Sequence, residues 1–488
     1  MAGKWPPRSN SDQCPISWPG SIIARTNGRA AKSAQPCGAV PGRHARRSAD
    51  RPFLHRGPST QVHGTWDLGR RSRCRFRAVP EKARIYLYSC GVNSGSGPEA
   101  WGVSKHQYNV RVEAKEHGAD VLILSSAIGS GHMRASTAIV RGVALLDPER
   151  TCSVVDFPHE VSPDLERLLR DAYLEALKLW PTVYGRIYRR SGGRRPGSYG
   201  HYLERAGVRT LERLASETGA RALIAPHFYG AGVLGAYKEI HPQAFTAVVL
   251  TDYVPHPVGV PSNLDLYVVA DDAAAEVVAG LGVPEERIHP TGIPIDPVFE
   301  EPTDAAGARR DVLEIDVDDL PVVLVMGGGL GGGDLEEAVS LLLEASDAMH
   351  LVVLCGSNER SRQRLEGIAQ ARGRRATFLA FTDRVRDLMA LGSVLVTKPG
   401  GMSCTEALAT RLPQVLYHPI PGQEEDNAAA MVRYGAGVMV QRTADVPGQT
   451  LKILTSADHR RRMIESAEAA HRPHSARSAA SLILAGLP

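Results

Sequence analysis

The sequence has few cysteines, few aromatic residues and no long apolar segment. Seven of its 488 residues are Cys, and 6% are Phe, Trp or Tyr. The cysteines show neither a disulfide framework nor a zinc-ligand spacing, which fits a reducing cytoplasm. No apolar run approaches the roughly 20 residues of a membrane-spanning helix, and the N-terminus lacks the apolar segment of a signal peptide. The sequence therefore argues against an integral membrane protein and against a disulfide-stapled secreted domain.

Charges of both signs are present, but they are unevenly distributed. The chain carries 57 Lys and Arg and 53 Asp and Glu, a net charge of +4. Residues 1–84 hold 17 of the basic groups and 4 of the acidic ones, which leaves 40 and 49 in the remainder. This head is rich in Pro, Gly, Ser and Arg and shows no periodicity, so we expect residues 1–118 to be a disordered extension. It is either an arm that binds nucleic acid or anionic lipid, or a non-native extension from a start codon assigned too early.

From about residue 119 onward, short apolar runs alternate with helical patterns, which is typical of βαβ units around a parallel sheet. The first series of predicted strands lies in 121–126, 152–157, 222–228, 245–253, 264–270 and 287–295. A second series lies in 321–329, 350–356, 376–381, 393–399, 413–419 and 437–440. The sequence therefore predicts an α/β protein with two Rossmann-like domains.

The predicted domain boundaries follow from these two series. We expect an N-terminal domain over 119–296, a linker rich in Pro, Ala and acids over 297–320, a C-terminal domain over 321–456, and C-terminal helices over 457–488. Ligands of parallel α/β sheets bind at the carboxyl ends of the strands, so the ligand site is predicted in the cleft between the two domains.

Two glycine-rich turns suit an anionic ligand. In "MGGGLGGGD", Gly327, Gly329 and Gly332 satisfy the dinucleotide pattern, but the next strand ends in "VVLCGS" without the acid that holds a ribose. In "SSAIGSGHMRAS", Arg134 stands where the third glycine would be. The pattern disfavours a dehydrogenase and favours a ligand with phosphate groups but no nicotinamide.

Six motifs occur in a fixed order along the chain: "SSAIGSGHMRAS", "TDYVPHP", "TGIPI", "MGGGLGGG", "TKPGGMSCTEAL" and "PIPGQEEDNA". Together they resemble glycosyltransferase family 28, and within it the branch of monogalactosyldiacylglycerol synthases and processive diacylglycerol glucosyltransferases. The resemblance covers about residues 119–440. It implies a GT-B fold, with two Rossmann-like domains facing each other across a cleft, and metal-independent, inverting transfer of a sugar from a UDP donor to a lipid hydroxyl.

The N-terminal domain contains the residues expected to serve the acceptor. His132 suits the catalytic base, because imidazole titrates near neutrality and the residue follows the first strand; a helix-capping role is the alternative. Asp252, His256 and His227 also follow strands, and each would orient His132 or line the acceptor mouth, or be structural. Two glycines beside His132 would give donor sugar and acceptor room to meet, Gly129 and Gly131.

The C-terminal domain contains the residues expected to bind the donor. Backbone N–H groups of the 327–333 loop would face the diphosphate, among them Gly328, Gly329 and Gly331. Glu406 would accept hydrogen bonds from the ribose diol, as the resemblance implies, or would only complement a helix dipole. A second set of phosphate donors is predicted at Gly400, Gly401 and Ser403.

Two further stretches complete the predicted donor site. Residues spaced i to i+4 share a helix face, so Gln423 and Asn427, with Glu424 beside them, would reach sugar hydroxyls or cap the helix. Backbone groups at Phe381 and Thr382 would frame the uracil. The only DxD-like stretch, at 316–318, falls in the predicted linker, so we expect neither a metal nor a cofactor.

A basic segment follows an amphipathic helical pattern in the N-terminal domain. From Arg186 to Arg213 there are eight Arg and two Glu, with tyrosines interleaved. Each basic group near an anionic bilayer contributes about 1 kcal/mol of attraction, so we expect docking on the inner face of the membrane through Arg189, Arg190, Arg194 and Arg195. A solvated loop or an RNA-binding patch is the alternative.

The most probable function from the sequence is transfer of galactose or glucose from a UDP-sugar to diacylglycerol or a related lipid. The expected partners are a UDP-hexose, a lipid acceptor and an anionic membrane surface, without nucleic acid. Three alternatives stay open: a UDP-sugar epimerase, a GT-B transferase with a non-glycerolipid acceptor, and a nucleotide-sugar-binding protein without catalysis.

Overall fold

The computed structural model describes residues 85–86, 118–127, 130–179, 181–191, 201–302, 320–327, 333–356 and 358–487. These residues form two parallel β-sheets, each with helices packed on it. The central strands of both sheets are buried, as apolar runs covered on both faces require. The α/β class predicted from the alternating runs is confirmed.

The N-terminal sheet has the strand order β1-β3-β2-β4-β5-β6-β7 with every pair parallel. Its strands are β1 (Ile85–Tyr86), β2 (Val121–Ser125), β3 (Cys152–Asp156), β4 (Ala222–Ala225), β5 (Phe245–Val249), β6 (Leu266–Val268) and β7 (Ile288–His289). The six predicted strands are present. Strand β1 lies within the predicted extension and pairs with β3, with Ile85 opposite Cys152. Most other residues of that extension lie outside the described residues.

The helices of the N-terminal domain connect these strands and flank their sheet. They are α1 (Ser130–Leu146), α2 (Phe157–Val161), α3 (Pro163–Leu179), α4 (Pro181–Ser191), α5 (His201–Thr218), α6 (Phe228–Ile240) and α7 (Asp272–Gly280). Local chemistry sets several starts. Pro163 and Pro181 occupy first helical positions, where a missing N–H costs nothing. Asp271 caps α7 by accepting a hydrogen bond from the Ala274 N–H at 2.7 Å.

The C-terminal sheet has the order β10-β9-β8-β11-β12-β13 and is also parallel. Its strands are β8 (Val322–Met326), β9 (His350–Leu354), β10 (Ala376–Leu379), β11 (Val394–Thr397), β12 (Gln414–Leu416) and β13 (Gly437–Met439). Its helices are α8 (Gly333–Ala345), α9 (Glu359–Ala371), α10 (Val385–Leu391), α11 (Gly401–Ala409), α12 (Gln423–Tyr434), α13 (Val446–Thr455) and α14 (Ala457–Ala470). All six strands predicted for this domain are present.

The direction of the connections reverses beside β2 in the first sheet and beside β8 in the second. In the first sheet β3 lies on one side of β2 and β4 lies on the other; in the second, β9 and β10 lie on one side of β8 and β11 lies on the other. Ligand crevices of open α/β sheets form at such switch points, beyond the carboxyl ends of the strands. The turns after β2 and β4, and those after β8 and β11, are therefore the positions at which the topology predicts a site.

A further helix, α15 (Ser475–Ala485), follows the C-terminal domain in sequence but packs on the N-terminal one. Its Ala479, Ala480 and Ile483 are buried in the same cluster as strand residues of the first sheet. At Gly142 of α1, a Cβ atom would lie 2.3 Å from the carbonyl oxygen of Ala476, so the two helices cross at a position that requires glycine. The chain thus passes between the two domains twice.

Candidate active site

His132 lies in the first turn of α1, directly beyond the carboxyl end of β2. Its Nδ1 is 3.0 Å from the carbonyl oxygen of Pro226 and 3.3 Å from Oγ1 of Thr251. A carbonyl can only accept, so Nδ1 carries the proton and Nε2 keeps its lone pair. Burial lowers the pKa of His132 to about 4, although the bond to Pro226 opposes that shift. The imidazole is therefore neutral near pH 7 and able to accept a proton at Nε2.

A second histidine lies beside the first, at the end of β4. The rings of His132 and His227 meet edge to face with centroids 4.8 Å apart. Burial lowers the pKa of His227 well below its usual value, and Nδ1 of this ring has no hydrogen-bond partner among the described residues. On its other side, the ring of His227 contacts Phe228 at 4.3 Å, and Phe228 is 53% exposed. An exposed aromatic side chain therefore lies next to the two histidines.

Asp252 extends across the cleft to the C-terminal domain. Its Oδ1 accepts a hydrogen bond from Nδ2 of Asn427 at 2.9 Å, and Oδ1 of Asn427 accepts one from the Tyr253 N–H at 2.8 Å. The Tyr253 hydroxyl lies 2.9 Å from Oγ1 of Thr405. Burial raises the pKa of Asp252, and the bond from Asn427 opposes the shift. Among the described residues, His132 is oriented by Pro226 and Thr251 rather than by Asp252.

The start of α11 faces the N-terminal domain through its main chain. A Cβ atom at Gly401 would lie 2.0 Å from the carbonyl oxygen of Thr251, and one at Gly131 would lie 3.5 Å from Cγ of Met402. The N-cap residue Gly400 offers no side chain to the first turn, and that turn contains no acid. The first N–H groups of α11, near the half-buried Ser403, therefore remain available to an anion.

Glu406 is buried on α11 and is paired across the cleft. It is 1% exposed, and its Oε1 forms a short ion pair with the guanidinium of Arg134 from α1. Its Oε2 is buried without a hydrogen-bond partner among the described residues. Burial raises the pKa of Glu406, and Arg134 lowers it. In the carboxylate predicted to hold a ribose, one oxygen is therefore paired with an arginine, and the other has no partner among the described residues.

The polar residues at the start of α12 have two different roles. One caps the helix, and another forms hydrogen bonds across the cleft to the N-terminal domain. Glu424 accepts a hydrogen bond from the Ile420 N–H at 2.7 Å, and burial raises its pKa to about 7. Gln423 is half-buried at the first helical position. Asn427 is fully buried with both ends of its amide on protein groups, so it bridges the domains here instead of presenting its side chain to a sugar. Of the two predicted roles, contact with sugar hydroxyls and capping of the helix, Glu424 fits capping. Asn427 fits neither role.

Helix α4 reaches the same part of the C-terminal domain. The Tyr188 carbonyl accepts a hydrogen bond from Nε2 of His256 at 2.9 Å, and a Cβ atom at Gly422 would lie 2.5 Å from the Tyr188 ring. Arg189 pairs with Glu425 at 3.0 Å. Of the predicted membrane-binding arginines, Arg189 therefore lies at the rim of the cleft. Both Arg189 and Arg190 are exposed.

Several predicted residues lie at the edge of the site or outside the described residues. Phe381 follows β10 at the sheet edge and is 40% exposed, and Oγ1 of Thr382 accepts a hydrogen bond from the Arg384 N–H at 3.1 Å. The predicted residues outside the described ones are Gly129, Gly328, Gly329, Gly331, Arg194 and Arg195.

Three residues of the cleft were not predicted as site residues from the sequence. Arg134 was interpreted only as a missing glycine, and Thr251 was not considered. Lys398 follows β11 and pairs with Asp334 of α8 at 3.1 Å, which puts a cation at the N-terminus of α8. The signal for Lys398 was its position, one residue beyond a buried strand at the switch point.

Two searches of the described part of the chain bear on binding. No helix there is both long enough and apolar enough to span a bilayer. No group of three or more His, Cys, Asp or Glu side chains among the same residues is arranged to hold a metal ion.

Comparison with known families separates the two domains cleanly. The family model for monogalactosyldiacylglycerol (MGDG) synthase matches residues 132–295, and it begins at the candidate base. The model for the glycosyltransferase family 28 C-terminal domain matches residues 322–483. The chain belongs to glycosyltransferase family 28. It is a glycosyltransferase, and both the family and the branch predicted from the six motifs are confirmed.

Relatives of this family 28 member extend over both domains. Processive diacylglycerol beta-glucosyltransferase from Bacillus cereus (strain AH820) is 26% identical over 383 residues, which cover 75% of this chain and 93% of the relative. The enzyme of that name from Bacillus subtilis (strain 168) is 26% identical over 361 residues, covering 72% and 91%. The crystal structure of MurG from Acinetobacter baumannii superposes with a TM-score of 0.51 at 14% identity, covering 75% of this chain and 99% of MurG. The predicted GT-B fold is confirmed.

Proposed function

We propose that this family 28 glycosyltransferase transfers galactose or glucose from a UDP-sugar to diacylglycerol or a related lipid, with inversion at the anomeric carbon. The observation that carries the proposal is the state of His132. Its Nδ1 donates to Pro226, no described residue forms a hydrogen bond with its Nε2, and burial lowers its pKa to about 4. A neutral imidazole at the switch point of the acceptor domain is the group that a direct displacement requires.

In the proposed reaction, Nε2 of His132 takes the proton of the acceptor hydroxyl as that oxygen attacks the anomeric carbon. The new bond forms opposite the bond to the diphosphate, which breaks and leaves UDP with the electron pair. The uncapped N-terminus of α11 and the ammonium group of Lys398 stabilise the departing negative charge. Glu406 holds the ribose diol through Oε2.

A diacylglycerol acceptor is supported by the MGDG synthase match and by the names of the Bacillus relatives. Phe228 provides an apolar contact for such a molecule, because it is exposed beside His227 and His132. On α3 and α4, Leu168 and Val183 are 66% and 44% exposed, which suits contact with a membrane surface.

A donor panel tests the proposal directly. The protein is incubated with UDP-glucose or UDP-galactose, each radiolabelled in the sugar, and with vesicles that contain diacylglycerol. Label recovered in the lipid phase, and identified as a β-linked glycosyl diacylglycerol, is the expected result. An isomerised sugar formed from the donor alone would identify an epimerase instead, and UDP binding without any turnover would identify a binding protein.

Membrane docking is tested separately by sedimentation with liposomes. The proposed surface binds more strongly as the fraction of anionic lipid rises, and neutralising the four predicted arginines weakens binding. Docking on an anionic surface would be contradicted by binding that ignores lipid charge. Because Arg189 pairs with Glu425, a variant limited to Arg190, Arg194 and Arg195 separates docking from effects on the cleft.

A further inference from the structure

The only polar contact that the described part of α1 makes with α11 is an ion pair between Arg134 and Glu406. Arg134 stands two positions after His132 on the same helix. The side chain of Arg134 is 27% exposed, whereas that of Glu406 is 2% exposed. The pair therefore joins the helix that carries the proposed base to the carboxylate proposed to bind the donor.

The second oxygen of Glu406 lacks a partner. Oε2 is buried, and no described residue donates a hydrogen bond to it. A buried acceptor without a donor is unfavourable, so we expect a ligand to provide the donor. The two hydroxyls of a ribose are donors of the required kind.

We propose that Arg134 is a positioning residue for the ribose of the donor: by holding Oε1 of Glu406 across the cleft, it directs Oε2 to a vicinal diol and brings the first turn of α1 against the nucleotide. This inference rests on the proposed function. It adds a specific role for an arginine of the acceptor domain, whose ion pair with Glu406 would respond to a ribonucleotide bound in the donor domain.

The electrostatic surroundings of Glu406 support this role. Burial raises the pKa of its carboxyl, Arg134 lowers it, and Asp296 raises it. Asp296 is itself paired with Arg141 of α1, and Cys404 lies two positions before Glu406 on α11. Arg134 is thus the cation in direct contact with Glu406 among the described residues, and its removal raises the pKa of this carboxyl further.

The experiment measures UDP affinity by calorimetry as a function of pH, using the full chain. In Arg134→Gln we expect UDP to bind about tenfold more weakly near neutral pH, and the loss to shrink as pH rises and Glu406 ionises without its cation. Arg134→Lys keeps the charge and restores most of the affinity. Arg433→Gln is the matched control, because Arg433 pairs with Asp271 at 3.2 Å, also between the two domains, and neither residue is proposed to contact a ligand.

A second arm compares UDP with 2′-deoxy-UDP. The unmodified protein prefers UDP, since the deoxy compound leaves Oε2 of Glu406 without one donor. Arg134→Gln and Glu406→Gln both reduce this preference, whereas Arg433→Gln retains it. The melting temperature of each variant checks that the fold is intact, and Arg134→Lys decides the matter if Arg134→Gln does not fold.

Two results would overturn the inference while the proposed function stands. One is an Arg134→Gln protein that binds UDP with unchanged affinity at every pH. The other is an equal change of the pH profile in Arg433→Gln, which would reduce Arg134 to a general domain clamp. If the unmodified protein does not bind UDP at all, the proposed function fails, and the inference fails with it.

Discussion

The turn after β2 and the turn after β11 meet in the cleft, but they present different chemistry. After β2, helix α1 begins with His132 and Arg134, whose side chains reach Pro226 and Glu406. After β11, helix α11 begins with Gly400 and Gly401, which present only the main chain. One turn needs particular side chains, and the other needs their absence.

This difference matters because the loop after β5, which holds His132 through Thr251, touches the turn after β11. The Thr251 carbonyl lies so close to Gly401 that a Cβ atom there would be 2.0 Å away. A glycine on the donor side thereby allows the acceptor-side loop, which also orients His132, to approach the N-terminus of α11. The position of His132 in the acceptor domain therefore depends on the absence of a side chain at Gly401 in the donor domain.

Removal of the side chain on the acceptor side is expected to have the largest effect. His132→Ala should lower kcat by about 10²–10⁴-fold, because the proton of the acceptor has no base. The matched control is His241→Ala, since His241 pairs with Glu212 at 3.1 Å at the opposite end of α6. Initial rates with labelled donor measure both. Equal rates in His132→Ala and the unmodified protein would refute the assignment of the base.

Addition of a side chain on the donor side is expected to be nearly as damaging. Gly401→Ala pushes a methyl group into the Thr251 carbonyl, so the cleft is wedged open and kcat falls by about 10²-fold, as a misplacement of about 1 Å would cause. Gly367→Ala in α9 is the control, because nothing lies within 4 Å of a Cβ at Gly367 and this glycine lies outside the proposed site. Equal turnover of donor by the two variants would contradict the claim that the position of Gly401 requires the absence of a side chain.

The hydrogen bonds that Asn427 forms with Asp252 and Tyr253 across the cleft can be tested through stability. Asn427→Ala leaves the buried Asp252 carboxyl and the Tyr253 N–H without partners, which should lower the free energy of unfolding by about 1–3 kcal/mol. Asp252→Ala removes one of these partners, so the double variant should lose less than the sum of the single losses. Urea denaturation measures all three. Strict additivity would mean that the two side chains do not interact.

The acceptor side also exposes an aromatic side chain beside its two histidines, Phe228. Phe228→Ala should raise the KM for diacylglycerol about threefold to tenfold and leave the KM for the donor unchanged, because one apolar contact is lost. Ile240 provides the control: it lies at the other end of α6 and is 59% exposed. A matching change in Ile240→Ala, or a change in donor KM, would contradict a role for Phe228 at the acceptor mouth.

The smallest expected effect is that of pH on the base itself. The folded pKa of His132 is about 4, below its usual value, so the imidazole stays neutral as pH falls through the normal histidine range. At saturating substrates we expect kcat to vary less than about twofold between about pH 8 and about pH 5.5. A fall in kcat centred near the ordinary histidine pKa would show instead that the base is solvated.

The sequence was sufficient for the fold, and it also indicated candidate side chains at single turns. Apolar runs bounded by turn residues identified the strands of both sheets, and His132 and Glu406 were identified by their positions after strands. Strand β1 was missed because only two of its residues pair and they lie next to an arginine-rich head. Local patterns of this length carry no information on pairing with a distant strand.

The contacts between domains could not be predicted in the same way. Arg134 and Glu406 are 272 positions apart, and Asp252 and Asn427 are 175 apart. Each of these residues has an ordinary local explanation, such as a lost glycine or a helix cap. Their roles depend on how the two sheets approach each other, which periodicity and motif spacing do not encode.

The packing of α15 on α1 has a consequence for biosynthesis. The N-terminal sheet and α1 leave the ribosome first, yet Ala479, Ala480 and Ile483 cover one face of that sheet. The nascent N-terminal domain therefore exposes an apolar surface until the entire C-terminal domain has been translated. Domains usually fold in order of synthesis, but here the first domain to emerge is the last to be completed.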